Sequence, residues 1–162
     1  MKYLKVLCFL IVILCVSLIF TGQKAYASNA DDIYNFMRDI GFNHAVATAV
    51  LVNIECNIDC GSCDIADILR SGGYYGICKW RGSRLSNLRA FCSRNGLSSS
   101  SLYGQLRFLE YELSERGQFD QLKSYPNTKD GAYNAAYYWA VCFEVCGTSN
   151  GRNRAMLAME RF

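Results

Sequence analysis

Apolar positions recur along most of the chain with a helical period, and few stretches alternate at the strand period. Ile33, Phe36, Met37 and Ile40 predict a helix from Asp31 to Ile40, with acids at its N-terminus and Gly41 at its end. Asn43 is a suitable N-cap for a second helix that runs through Val46, Val50 and Ile54 to about Asn57. That helix is apolar on nearly all sides, as a central buried helix must be. Asp59 to Gly73 reads as a compact loop with a helical turn near Ile65 to Leu69, and Gly72-Gly73-Tyr74-Tyr75-Gly76 as a tight aromatic turn. Ser83 is expected to cap a helix through Leu85, Leu88 and Phe91 that ends near Gly96. After the Ser98–Ser101 capping loop, Leu102, Leu106, Leu109 and Leu113 form one stripe, and Gly117 stops it. This stripe is core packing and implies no cofactor. A short piece with Phe119 and Leu122 precedes Pro126. A long helix follows Asp130 through Ala136, Trp139, Ala140 and Phe143, ending at Gly147, and a final helix covers Arg154 to Phe162. The expectation is an all-α domain of six or seven orthogonally packed helices, without linker, repeat or low-complexity segment.

The N-terminus has a different pattern. Lys2 and Lys5 precede an apolar run from Val6 to Phe20, and Ala25-Tyr26-Ala27 has the small-x-small form of a signal-peptidase site. The run is short for a membrane span, which needs about 20 residues. Residues 1–27 therefore read as a signal peptide and residues 28–162 as the mature, secreted or cell-surface domain. Losing Lys2, Lys5 and Lys24 lowers the formal charge from +3 to zero, with fourteen basic and fourteen acidic residues left. No basic field remains to attract nucleic acid over long range. Lys79, Arg81, Arg84, Arg89 and Arg94 still form a basic stretch with no acid between them, suited to holding an anionic polymer locally.

Seven of the nine cysteines fall in the mature part: Cys56, Cys60, Cys63, Cys78, Cys92, Cys142 and Cys146. In a small exported chain this usage predicts a disulfide-stapled fold. Local bridges among Cys56, Cys60 and Cys63 and a Cys78–Cys92 loop are plausible pairings. An odd count leaves one thiol free, or joined covalently to a partner. Zinc at Cys56, Cys60 and Cys63 is the weaker alternative, because the single histidine, His44, lies well upstream in the first turn of its own helix. His44 suits a surface or half-buried role. No metal or cofactor motif is otherwise present.

Four stretches then sharpen the picture: Ala49-Val50-Leu51-Val52-Asn53-Ile54; Tyr75-Gly76-Ile77-Cys78-Lys79-Trp80-Arg81-Gly82-Ser83-Arg84 with Asn87-Leu88; Gln105-Leu106-Arg107-Phe108-Leu109-Glu110-Tyr111-Glu112-Leu113; and Ala135-Ala136-Tyr137-Tyr138-Trp139 with Phe143-Glu144. In this order and spacing, from about Ile33 to about Arg154, the chain resembles the phage tail lysozyme family of wall-degrading domains. The resemblance implies a lysozyme-like fold and a peptidoglycan hydrolase that cleaves between alternating amino sugars.

Two positions depart from the pattern that the resemblance implies. Where the family reads Gly-Asn-hydrophobic-x-x-Glu-Ser, this chain has Val52-Asn53-Ile54-Glu55-Cys56-Asn57-Ile58, so Asn57 stands at the catalytic glutamate's position. Where the family reads Tyr-Gly-x-x-Gln-Trp, Lys79 replaces the glutamine. Glycoside hydrolysis needs a protonated carboxylic acid beside the leaving oxygen, usually kept protonated by an apolar setting, and asparagine cannot supply that proton. Asn57 can still hydrogen-bond an acetamido or hydroxyl group. Lys79 suits an anionic or carbonyl-bearing ligand and disfavours a neutral acid nearby. Glu55 is the one candidate for a shifted acid, but two helical residues turn through about 200°, so it faces away from Asn57. Asn53 and Asn57, four apart, share a face. Asn53, Tyr75, Lys79, Trp80, Arg84 and Glu144 are the candidate sugar contacts. Three functions follow as expectations: a wall-glycan hydrolase working through Glu55, an inactive lysozyme-like protein that binds wall glycan or a surface protein, and a structural or inhibitory protein that borrows the fold.

Overall fold

The computed structural model describes residues 29–57 and 73–162. The expected signal peptide and the loop over Asp59–Gly72 lie outside the described residues. Among those described, the chain is all-α, with no sheet and no helix long and apolar enough to cross a membrane.

Helix α1 (29–39) buries Ile33 and Met37. It ends as the glycine foretold: Gly41 has φ +97°, its N–H bonds Arg38 O at 3.0 Å, and Phe42 N–H bonds Met37 O at 3.1 Å. These paired bonds satisfy two of the last carbonyls of the helix. Helix α2 (His44–Asn57) is capped by Asn43, whose Oδ1 accepts from Val46 N at 3.0 Å. Every residue from Ala45 to Ile54 is buried, so α2 is the core's central rod.

Helix α3 (Gly82–Arg94) starts one residue before Ser83, and no side chain caps it. Ser101 caps α4 (Leu102–Glu115), accepting from Gly104 N at 3.1 Å, and the four stripe leucines are buried. The left-handed Gly117 (φ +64°) turns the chain into α5 (Gln118–Lys123). Thr128 caps α6 (Lys129–Tyr138).

Two later features differ from the periodic expectation. The helix through Trp139 does not stay α-helical. Trp139–Phe143 is a π-helical turn, closed by Glu144 N–H on Trp139 O at 3.0 Å. Helix α7 (Thr148–Arg161) begins six residues before Arg154. Its inward face is made of Gly151, Ala155 and Ala158. A Cβ on Gly151 would come within 2.8 Å of Val141 Cγ2, so this close packing against α6 and the π turn requires small residues. Small residues carry little hydrophobic signal, which is why the first half of α7 is silent in the sequence.

The expected disulfide framework requires correction: no disulfide bond is present among the described residues. Cys78 and Cys92 do not form the predicted loop. Cys92 faces α4, with its thiol on Gly104 O at 3.6 Å, while Cys78 is sealed under the aromatic turn. Cys142 is exposed on the π turn and Cys146 half-buried after it, and no bond joins them. Cys56 is half-buried near the end of α2, and Cys60 and Cys63 lie outside the described residues. The apolar core closes instead around buried Trp80, Trp139, Phe108, Phe143 and the α2 side chains.

Candidate functional site

Asn53 and Asn57 lie one turn apart on α2 and point towards α7 and the π turn. Asn53 donates to Ala49 O at 2.9 Å and Ala136 O at 3.2 Å, and its Oδ1 accepts from Arg154 at 3.2 Å. Asn57 donates to Ile77 O at 3.2 Å and to Glu144 Oε1 at 2.6 Å, while its Oδ1 accepts from Arg154 at 3.1 Å. Glu144 Oε1 also accepts from the Trp139 indole at 2.9 Å, and Oε2 pairs with Arg154 at 2.7 Å. The π turn makes this possible, because its extra residue brings Glu144 back beneath Trp139. The side chains of Glu144 and Arg154 are only 6% and 12% exposed, so the pair is desolvated and held by well-aimed donors. Burial pushes the Glu144 carboxyl above its usual range, against the opposing pull of Arg154 and of the Trp139 and Asn57 donors.

The aromatic turn is a small hairpin pinned from two sides. Tyr75 and Trp80 exchange backbone bonds at 2.9 and 2.8 Å, and Lys79 N–H closes on Gly76 O at 3.1 Å. Gly76 (φ +72°) packs so close to α4 that a Cβ would meet Gln105 Oε1 at 2.6 Å, and Gln105 Oε1 accepts from Ile77 N at 2.9 Å. Ile77 O is thereby presented to Asn57. Lys79 has φ +48° and Val145, next to Glu144, has φ +57°, with Val145 76% exposed. Left-handed backbone is uncommon for any side chain and a genuine outlier for a β-branched one, and it concentrates at functional sites. Both such residues here flank the segments that touch Asn57. Cys78, fully buried between the networks, has its thiol pushed well up by burial and then by Glu144, so it is an inert thiol.

Asn53, Asn57 and Glu144 therefore meet, and Tyr75 and Lys79 lie on the adjoining hairpin. Trp80 and Arg84 belong to a second buried network. The Trp80 indole donates to Glu112 Oε2 at 2.9 Å, and Arg84 grips both carboxylate oxygens at 2.6 and 2.8 Å. Burial works against the Arg84 charge, but its bonds to Glu112 prevail and raise its pKa. Glu55 is turned away, half-buried, and paired with Arg161 near the end of α7. Sequence reasoning missed Arg154 as a site residue. The available signal was a conditional one: an acid buried among aromatics needs a cation, and α7 offers Arg152 and Arg154. Among the described residues no cluster of histidine, cysteine or carboxylate side chains is fit to hold a metal ion.

The sequence model of the phage tail lysozyme family matches residues 28–162. The chain belongs to the phage tail lysozyme family. Membership makes it a lysozyme-like, hydrolase-type domain. No curated protein matches the chain.

Proposed function

We propose that this phage-tail-lysozyme-like domain is an exported protein that binds wall glycan without hydrolysing it. One observation carries this reading: both ends of the Asn57 amide are committed, its N–H groups to Glu144 and Ile77 and its oxygen to Arg154. A group so held cannot protonate a glycosidic oxygen. Glu144 is already engaged, since the Asn57 amide, the Trp139 indole and the buried Arg154 take up both of its oxygens. Glu55, engaged by Arg161, is not among the residues gathered round Asn57. The hairpin with Tyr75 and Lys79 supplies an aromatic and a cation for sugar contact beside that neutral position.

Incubation with purified cell-wall sacculi, followed by sedimentation and assay of new reducing ends, tests this. The protein is expected to pellet with the sacculi and to release no reducing ends between about pH 4 and 8, the span over which carboxylates and histidine titrate. Release that disappears in Glu55→Gln would instead establish hydrolysis through the shifted acid. Absence of pelleting would remove the glycan altogether.

A further inference from the structure

The hairpin and the first turns of α3 carry a feature that the Asn57 network does not use. Tyr74 is 39% exposed, and the Arg81 guanidinium lies 5.1 Å from its ring centroid and donates to its hydroxyl at 3.0 Å. On the neighbouring half-buried Tyr75, the Arg89 guanidinium lies 5.6 Å from the ring centroid. Lys79 stands in the same turn, on left-handed backbone held by the Tyr75–Trp80 bridge. None of these three cations forms an ion pair among the described residues. The contrast with Arg84 is informative: it lies in the same acid-free run, yet its charge is taken up by Glu112. Among the described residues, three cations without an ion pair and two tyrosines thus share the hairpin and α3.

We propose that this strip binds an anionic carbohydrate polymer, a sugar chain bearing carboxylate or phosphate groups. A guanidinium over a tyrosine face is held by the ring quadrupole, and the N–H groups not spent on the tyrosine hydroxyl can meet an oxyanion. The ring itself presents an apolar body and a hydroxyl to a sugar. Nucleic acid is the less suited polyanion, because the chain without residues 1–27 has no net positive charge to draw it in. The choice of carbohydrate rests on the wall-glycan reading above; the anion preference rests on the strip alone.

The test uses the double variant Arg81→Gln/Arg89→Gln, both exposed positions, with retained folding checked by circular dichroism. Binding is measured to untreated sacculi, to sacculi stripped of phosphodiester-linked polymers, to sacculi with amidated carboxyls, and to a neutral amino-sugar oligomer. The double variant is expected to bind untreated sacculi about fivefold more weakly, and the native chain to lose a similar factor in high salt. Binding of the neutral oligomer should not change. A drop on stripping identifies phosphate as the recognised group, and a drop only on amidation identifies carboxylate. Equal binding by native and variant chains, or tighter binding of duplex DNA than of sacculi that is lost in the variant, overturns the proposal. A native chain that fails to bind the neutral oligomer contradicts the wall-glycan reading and leaves the strip to stand on its own salt dependence.

Discussion

Glu112 and Glu144 are held by the same device in two places. Each buried carboxylate takes a tryptophan indole N–H at 2.9 Å and an arginine within 2.7 Å. The two assemblies meet at Phe143, over whose ring the Arg84 and Arg116 guanidinium groups lie at 4.8 and 5.2 Å. Their membership differs. Glu112 ties α4 to α3 and the hairpin. Glu144 ties the π turn to α7 and α2, and its third donor is the amide of Asn57. The same chemistry thus fastens α4 to α3 and the hairpin in one case and holds the Asn57 amide in the other. A neutral amide at position 57 donates to Glu144 beside Arg154, whereas a second carboxylate there would face it at hydrogen-bond distance.

Breaking each arginine should separate the two assemblies most. Arg154→Met leaves Glu144 buried without its cation and should cost about 3–5 kcal/mol. Arg84→Met should cost less, about 2 kcal/mol, because its side chain is 27% exposed and Glu112 retains the Trp80 indole. Urea unfolding followed by circular dichroism ranks them, and a larger loss for Arg84 would invert the comparison. Asn57→Asp comes next, at about 2–3 kcal/mol near neutral pH. The introduced carboxyl and Glu144 must share a proton, so the pair's folded pKa lies above its unfolded value. Stability is then intact at acid pH, below the unfolded carboxylate range, and falls as pH rises through the folded pKa of the pair. Unfolding free energies of native and variant proteins across that range should diverge with rising pH. A constant difference would show that the two positions are uncoupled.

Indole donors form a gentler probe. Trp80→Phe and Trp139→Phe each remove one N–H from a buried carboxylate and should each cost about 1–3 kcal/mol in thermal or urea unfolding. Equal losses would mean that the two devices are interchangeable as fastenings. The smallest effect belongs to Glu55→Gln. Its partner Arg161 is 49% exposed, so stability should change by under about 1 kcal/mol and glycan binding not at all.

Where periodic apolar residues meet a strong punctuating residue, as in α1 before Gly41, α2 after Asn43 and α4 between Ser101 and Gly117, the helices are legible in the sequence. The first half of α7 is not, because Gly151 packs by being small. The π turn is not either, since a shift in hydrogen-bond register leaves the residue pattern nearly unchanged. At the site, Asn53, Asn57 and Glu144 could be named from family spacing. Arg154 could not, because which arginine of α7 reaches a distant carboxylate depends on the packing of three elements. Trp80 and Arg84, named as candidate sugar contacts, both bond Glu112, and Arg84 lines a shallow pocket beside it. Cysteine number suggested bridges, but buried thiols such as Cys78 and Cys92 also serve as small core residues.

The central proposal is that the domain binds wall glycan and lacks hydrolysis because Asn57 stands where an acid is needed. Reducing-end release from sacculi, measured side by side for the native chain and Asn57→Glu, tests it most directly. The account predicts no release from the native protein and measurable release from the variant. Release by the native protein, or none from either, would contradict it.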